Sequence, residues 1–190
     1  MAKIRYRHKL RELLAFTGVM ELRIMYTIIS GTNRNDSNTI KIAQHYQQLL
    51  KNKGIDAKLF SLQGVNVMQK NPAFSDIETN VLQPSQKFIF VSPEYNGSIP
   101  GVLKAMFDIS DVKKTWWGKK ALLTGVSTGR AGNLRGMDHL TSILHFMKVI
   151  VHPNKLPISV VDKLMGEDGE LIDDSTLAVI NEQLNEFIEF

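Results

Sequence analysis

Leu22–Ser30, read LRIMYTIIS, is a nearly continuous apolar run, and the polar loop Gly31-Thr32-Asn33-Arg34-Asn35-Asp36-Ser37-Asn38-Thr39 follows it directly. A short run of this kind is the pattern of a strand covered on both faces. Downstream, Asn38–Lys53 carries Ile40, Ala43, Tyr46, Leu49 and Leu50 near helical spacing, and Gly54 supplies the stop. A buried strand, a glycine-led polar turn and an amphipathic helix make the first unit of an alternating α/β chain.

The rest of the chain repeats that unit. Asp56–Ser61 reads as a second, shorter strand, and Leu62–Gln86 is less regular because Pro72 and Pro84 break it, with Ser75–Leu82 able to form a helix. Lys87–Ser92 (KFIFVS) is the third buried strand, ended by Pro93. A helix over Pro100–Ser110 follows, with Pro100 in its first turn, where a missing N–H does no harm. Ala121–Ser127 is the fourth strand, Leu134–Phe146 a helix, Lys148–His152 the fifth strand and Ser175–Phe187 the closing helix. Strands alternating with helices through short turns argue for a parallel sheet wrapped on both faces. No repeat or linker interrupts residues 20–190, so the expected organisation is a tail over residues 1–20 and one domain over 21–190.

Composition narrows the chemistry. The 190 residues include no cysteine, which removes disulfides, iron–sulfur clusters, thiolate zinc and a cysteine nucleophile, and is compatible with a reducing, cytoplasmic setting. Of 23 basic and 19 acidic residues, the first nineteen positions hold five and one, and the remainder balances at eighteen each. The basic charge therefore belongs to the tail, and the body lacks the basic face a nucleic-acid partner would require. The tail's apolar stretch Leu13–Phe16 is too short for a signal peptide, and no run is long and apolar enough for membrane insertion. Tyr6, Leu10, Leu13 and Leu14 allow a short amphipathic helix, but a loose extension upstream of Met20 is the plainer reading.

In a parallel sheet of this type, ligands bind beyond the carboxyl ends of the strands, where strand order reverses. The loops after the first, third and fourth strands are the places to look. The first places Thr32, Arg34, Ser37 and Thr39 at a helix amino terminus, where free N–H groups and a partial positive charge suit a phosphate; an ordinary capped turn would carry the same residue types. Neither G-x-x-x-x-G-K-[ST] nor G-x-G-x-x-G is present, so an NTPase or a standard dinucleotide fold is not supported. The second loop, Pro93-Glu94-Tyr95-Asn96-Gly97-Ser98-Ile99-Pro100-Gly101, is stiffened by two prolines, and its Asn96-Gly97 pair permits positive φ and close approach of main chain to a flat ligand. The third, Ser127-Thr128-Gly129-Arg130-Ala131-Gly132, exposes amides and hydroxyls to the same crevice.

These segments resemble the NADPH-dependent FMN reductase family of the flavodoxin-like superfamily. Gly31, Thr32, Arg34 and Ser37 match its Gly-Ser-x-Arg-x-x-Ser, with threonine replacing one serine. Pro93, Tyr95, Asn96, Ser98, Pro100, Gly101, Leu103, Lys104 and Asp108 match its more specific middle signature, and Trp117-Gly118-Lys119 through Gly132 fits the later part. The resemblance runs from about Glu21 to the carboxyl end. It implies a flavodoxin-like three-layer sandwich with a five-stranded parallel sheet in the order 2-1-3-4-5. It also implies FMN as cofactor, NADPH or NADH as co-substrate, a small-molecule electron acceptor and a homodimer or homotetramer. By the same resemblance Gly31 belongs to the cofactor site, and Thr32, Arg34, Ser37, Asn38 and Thr39 hold the FMN phosphate. Pro93, Glu94, Tyr95, Asn96 and Gly97 meet the isoalloxazine ring, chiefly through backbone groups, and Ser127, Thr128 and Gly129 flank its other side. Because hydride chemistry belongs to the flavin, no catalytic side chain is expected.

Two other readings compete. An FMN-binding electron carrier would share the site without direct NAD(P)H activity, but such carriers are usually strongly acidic and this body is neutral. A signalling receiver would need acids ending the first and third strands, where Ser30-Gly31 and Ser92-Pro93 stand. His139 and His145 are not spaced for one helix face, and His8, His45 and His152 have no adjacent ligands, so no metal site is expected. Methionines such as Met20 and Met25 read as filler, Trp116-Trp117 as a cover for the sheet edge or a subunit contact, and Glu167–Glu170 and Asp173-Asp174 as a solvated turn and a helix start.

Overall fold

The structure, a computed structural model, describes residues 24–190. In chain order the elements are β1 (Tyr26–Ser30), α1 (Asn38–Asn52), β2 (Ala57–Ser61), α2 (Pro72–Ile77), β3 (Lys87–Pro93), α3 (Gly101–Ile109), α4 (Val112–Thr115), β4 (Lys120–Val126), α5 (Leu134–Phe146), β5 (Ile150–Val151), β6 (Leu156–Ile158) and α6 (Asp174–Glu189). A π-helical turn, Glu78–Leu82, continues α2, and a 3-10 turn, Val161–Lys163, follows β6. All strand pairs are parallel, in the order β2-β1-β3-β4-β5, with β6 also on β4. This is the flavodoxin-like arrangement.

Each central strand divides its side chains between two cores. In β3, Phe88 and Phe90 join Phe107, Trp116, Leu140 and Leu144 on one face, whereas Ile89 and Val91 join Ile42, Tyr46, Ile180 and Leu184 on the other. Helices α3 and α5 cover the first face and α1 and α6 the second. Burial of each such side chain contributes about 1.5–3 kcal/mol, so the paired cores hold the strand ends in register.

Several boundaries differ from the sequence reading, each for a local reason. The first strand begins at Tyr26 rather than Leu22; Leu22, Arg23 and the tail lie outside the described residues, and the Met25 N–H already turns to Gln86 Oε1 at 2.6 Å. The helix expected over Ser75–Leu82 starts earlier, at Pro72, because the Asn71 side chain caps it by accepting from the Phe74 N–H. Pro100 stands before α3 as its cap residue, not inside the first turn. The fifth strand is split. Lys148 takes φ 58 in the turn after α5, the ladder with β4 holds only Ile150 and Val151, and β6 then pairs with the carboxyl half of β4. Trp116 is fully buried, its ring centroid 5.0 Å from Phe88 and 5.2 Å from Phe107, while only Trp117 is exposed, beneath Lys113 and Lys148.

The amino ends of the strands are tied to the end of α6. Buried Lys87 donates to the carbonyls of Phe187 (2.8 Å) and Ile188 (3.1 Å), and Lys120 donates to the Phe190 carbonyl. Desolvation, then repulsion from Lys120, pushes the Lys87 ammonium down to about 8, against attraction from Glu189. Because the folded value lies below the unfolded one, an unfolded chain holds a proton the native state has shed between pH 8 and 10.5, and stability rises with pH through that window. In urea titrations at pH 7.5 and 10, the wild type should gain about 1–3 kcal/mol more than Lys87→Met does. An identical gain in both proteins would remove Lys87 as the cause.

Candidate functional site

Three loops meet at the carboxyl ends of β1, β3 and β4 around a cavity of about 770 Å³. That volume lies in the range that holds small-molecule ligands.

The first loop leaves β1 at Gly31, whose N–H donates to Val91 O at 2.8 Å. Gly31 does not line the cavity. A Cβ there would stand 2.9 Å from a Leu103 methyl and 3.2 Å from the Val91 carbonyl, so glycine lets the chain leave the sheet between β3 and α3. Thr32, Arg34, Asn35, Asp36, Ser37, Asn38 and Thr39 all line it. Ser37 is the N-cap of α1, its Oγ accepting from the Ile40 N–H at 3.2 Å, which leaves its own proton to donate outward. The Asn38 and Thr39 N–H groups precede the first intrahelical bonds and have no helix carbonyl to reach. Asp36, at φ 46, is held by Lys41 at 3.5 Å, which offsets the one carboxylate of this loop. The helix dipole and Arg34 therefore make this end of the cavity anion-attracting.

The second loop is built on a tight turn. Tyr95 and Ser98 exchange both backbone hydrogen bonds (2.9 and 3.1 Å), and the residues between them, Asn96 and Gly97, have φ 52 and φ 79. Positive φ at both central positions is the requirement of a type I′ turn, which Asn-Gly meets at low cost. Pro93, Glu94, Tyr95, Asn96 and Gly97 all line the cavity. Tyr95 joins the two loops: its hydroxyl lies 2.6 Å from Thr32 Oγ1, and the Arg34 guanidinium stacks 4.2 Å from its ring centroid. Thr32 Oγ1 also accepts from the Arg34 N–H at 3.2 Å.

The third loop brings Ser127, Thr128 and Gly129 to the cavity, together with Arg130 and Ala131. Ser127 holds it in shape by donating to Gly129 O (3.0 Å) and accepting from the Gly132 N–H (3.1 Å). The segment after β6 supports it from outside, with Val160 N–H on Gly129 O and Val161 N–H on Ser127 O. Val160 does so at φ 45, a strained setting for a β-branched residue. Asn35, Asp36, Arg130 and Ala131 extend segments already singled out, whereas Val126 and Val161 reach the cavity through tertiary packing that no local pattern announces.

The described residues contain no group of three metal-ligating side chains and no helix long and apolar enough to cross a membrane. His139 instead lies 2.8 Å from Ser98 Oγ through its Nδ1, behind the Tyr95–Ser98 turn.

A family model described as NADPH-dependent FMN reductase matches residues 25–161. The chain is 29% identical over 168 residues to an NAD(P)H-dependent FMN reductase of Pseudomonas aeruginosa, covering 82% of this chain and 89% of that protein. It is 32% identical over 123 residues to a quinone reductase of Escherichia coli, covering 63% and 65%. Among solved structures, an NADH:FMN oxidoreductase in its apo form superposes with a TM-score of 0.71 at 20% identity, over 86% of this chain and 88% of that one.

Proposed function

The chain belongs to the NADPH-dependent FMN reductase family, and from that membership we propose how its three loops serve the activity. The protein is an FMN-dependent NAD(P)H oxidoreductase. Bound FMN would supply the hydride chemistry, by which NAD(P)H and a proton would be consumed as a second substrate is reduced by two electrons. The remaining work falls to binding and orientation. Arg34, the Ser37 and Thr39 hydroxyls and the Asn38 and Thr39 amides hold the phosphate. Pro93 to Gly97 presents backbone groups to one part of the ring, and Ser127 to Gly129 flanks it. We place both cofactor ends within one domain spanning residues 21–190. Gly31 serves that site by shaping the chain's exit rather than by contact.

The observation that carries this reading is the cavity itself. It joins an anion-attracting helix terminus to a turn whose two left-handed residues bring bare main chain to a flat surface. FMN has that same pairing of a phosphate and a planar ring. The acceptor we favour is a quinone or a free flavin, after the relatives' names, and from the family resemblance and the lack of cysteine we favour a homo-oligomer in a reducing compartment.

Visible spectra test this directly. Added FMN should shift its bands on binding, and NADPH or NADH should bleach them without oxygen. Bound flavin that no nicotinamide bleaches would favour an electron carrier, and an unshifted spectrum would remove the flavin site. At the phosphate end, Arg34→Ala should weaken FMN binding about 30- to 100-fold, the size of a lost charge-assisted interaction, while riboflavin affinity changes by less than about threefold. Equal losses for both flavins in fluorescence titrations would contradict the phosphate role.

A further inference from the structure

Asn133 is fully buried and left-handed, with φ 65, at the start of α5. Such a backbone favours glycine and tolerates asparagine, so the side chain needs a reason to be there. Its Nδ2 supplies one, donating to the carbonyls of two consecutive residues, Ser92 at 2.9 Å and Pro93 at 3.0 Å, with Ser92 Oγ at 3.4 Å. These residues lie where β3 leaves the sheet for the second loop.

The consequence is geometric. The peptide between Pro93 and Glu94 is planar, and it is fixed on both sides: its carbonyl by Asn133, its N–H by Val126 O at 3.1 Å. The next fixed points are the paired Tyr95 and Ser98. Between these anchors lie the Asn96 and Gly97 amides, at the cavity wall. The stem from which this turn rises is thus held from behind by a side chain that does not itself line the cavity.

The surroundings are shaped to that side chain. A Cβ on Gly136 would stand 2.0 Å from Asn133 Oδ1, and one on Gly125 would stand 3.0 Å from Asn133 Cβ. Oδ1 is buried and accepts no hydrogen bond, so the amide is held by its Nδ2 bonds and by these two bare glycines.

We propose that Asn133 is a positioning residue for the flavin ring: by clamping the Ser92 and Pro93 carbonyls it fixes the backbone amides that meet the ring and tune it. The assignment rests on the reading of Pro93–Gly97 as the ring's seat.

Asn133→Gly is the sharpest test, because glycine keeps the left-handed backbone and removes only the clamp. Lumiflavin, which has the ring but no phosphate, separates the two ends of the site. Affinity for both FMN and lumiflavin should fall about tenfold, equivalent to about 1.4 kcal/mol. The visible bands of bound FMN should also move toward those of free FMN, and its midpoint potential should change. Gly136→Ala, which drives a methyl into the Asn133 amide, should reproduce the spectral change in the native background and add little to it in Asn133→Gly. Should Asn133→Gly fail to fold, Asn133→Ser, too short to reach Pro93 O, takes its place beside Gly136→Ala. Folded variants with native spectrum, potential and lumiflavin affinity would overturn the inference while leaving the flavin reading intact. A wild-type protein that binds FMN through its phosphate yet shows no affinity for lumiflavin would overturn both the inference and the seat of the ring at Pro93–Gly97.

Discussion

Glu78→Ala should lose about 2–4 kcal/mol of folding free energy, the range for leaving two donors, one of them buried, without a partner. Glu78 is 2% exposed in the π-helical turn. Its Oε1 accepts from the Asp111 N–H at 2.5 Å and from Thr115 Oγ1 at 2.8 Å, while Oε2 takes Lys70 Nζ at 2.6 Å. Alanine leaves the Asp111 N–H and the buried Thr115 hydroxyl without their acceptor, whereas the half-exposed Lys70 ammonium turns to water. For a chain of this size the melting temperature should fall by about 6–15 °C. Glu78→Gln keeps an acceptor toward Asp111 and Thr115 and should lose only about 1 kcal/mol, the worth of a single hydrogen bond. Thermal and urea unfolding of the two variants measure the gap, and comparable losses would mean the charge, rather than the bonded geometry, carries the effect. FMN affinity of the folded variants should be native, since Glu78 is not among the residues around the cavity.

The second large effect is expected at Gly125, in the carboxyl half of β4. A Cβ there would stand 2.1 Å from Gly132 O and 3.1 Å from Met137 Cε. Neither a backbone carbonyl nor the packed face of α5 can yield that much without moving the third loop. Gly125→Ala should therefore cost about 2–3 kcal/mol by overpacking and weaken FMN binding by at least about 30-fold as the loop is displaced. Gly129→Ala is the control within the same loop, because its Cβ would meet only Ser127 Oγ, at 3.9 Å. Its stability should stay within about 0.5 kcal/mol of native. Parallel unfolding and flavin titrations separate the two, and native binding by Gly125→Ala would show that the loop is softer than its packing implies.

The contrast between these positions also explains what could be read from the chain alone. LRIMYTIIS and KFIFVS announced central strands because full burial on two faces leaves an unbroken apolar run, and Leu134–Phe146 announced a helix through its spacing. The cavity-lining loops were legible because contiguous residues build each of them, and Asn96-Gly97 carries its own turn chemistry. Glu78 carried no such signal. Its partners come from two other segments, Lys70 eight residues before it and Asp111 and Thr115 at the start and end of α4, and a lone glutamate in an irregular stretch looks like any solvated acid. Asn133 was hidden for the same reason, since its reach to Ser92 and Pro93 spans about forty residues. The fifth strand lies inside KVIVH, where its composition placed it, but the split of that border was not legible, because the turn at Lys148 and the three-residue β6 around Pro157 carry no strand pattern of their own.

That split has a consequence for how the molecule meets its own kind. An unbroken outer strand is a template on which other chains can add, the route to fibrils and swapped assemblies. Here one border of the sheet is two runs of two and three residues, separated by Pro153 and itself holding Pro157, which has no N–H to offer. The opposite border, β2, is short and projects Lys58 outward, where it bonds to Asn80 O. Among the described residues, the β5–β6 border offers a crowding neighbour no unbroken strand to extend, and the five-residue β2 border is guarded by the Lys58 side chain.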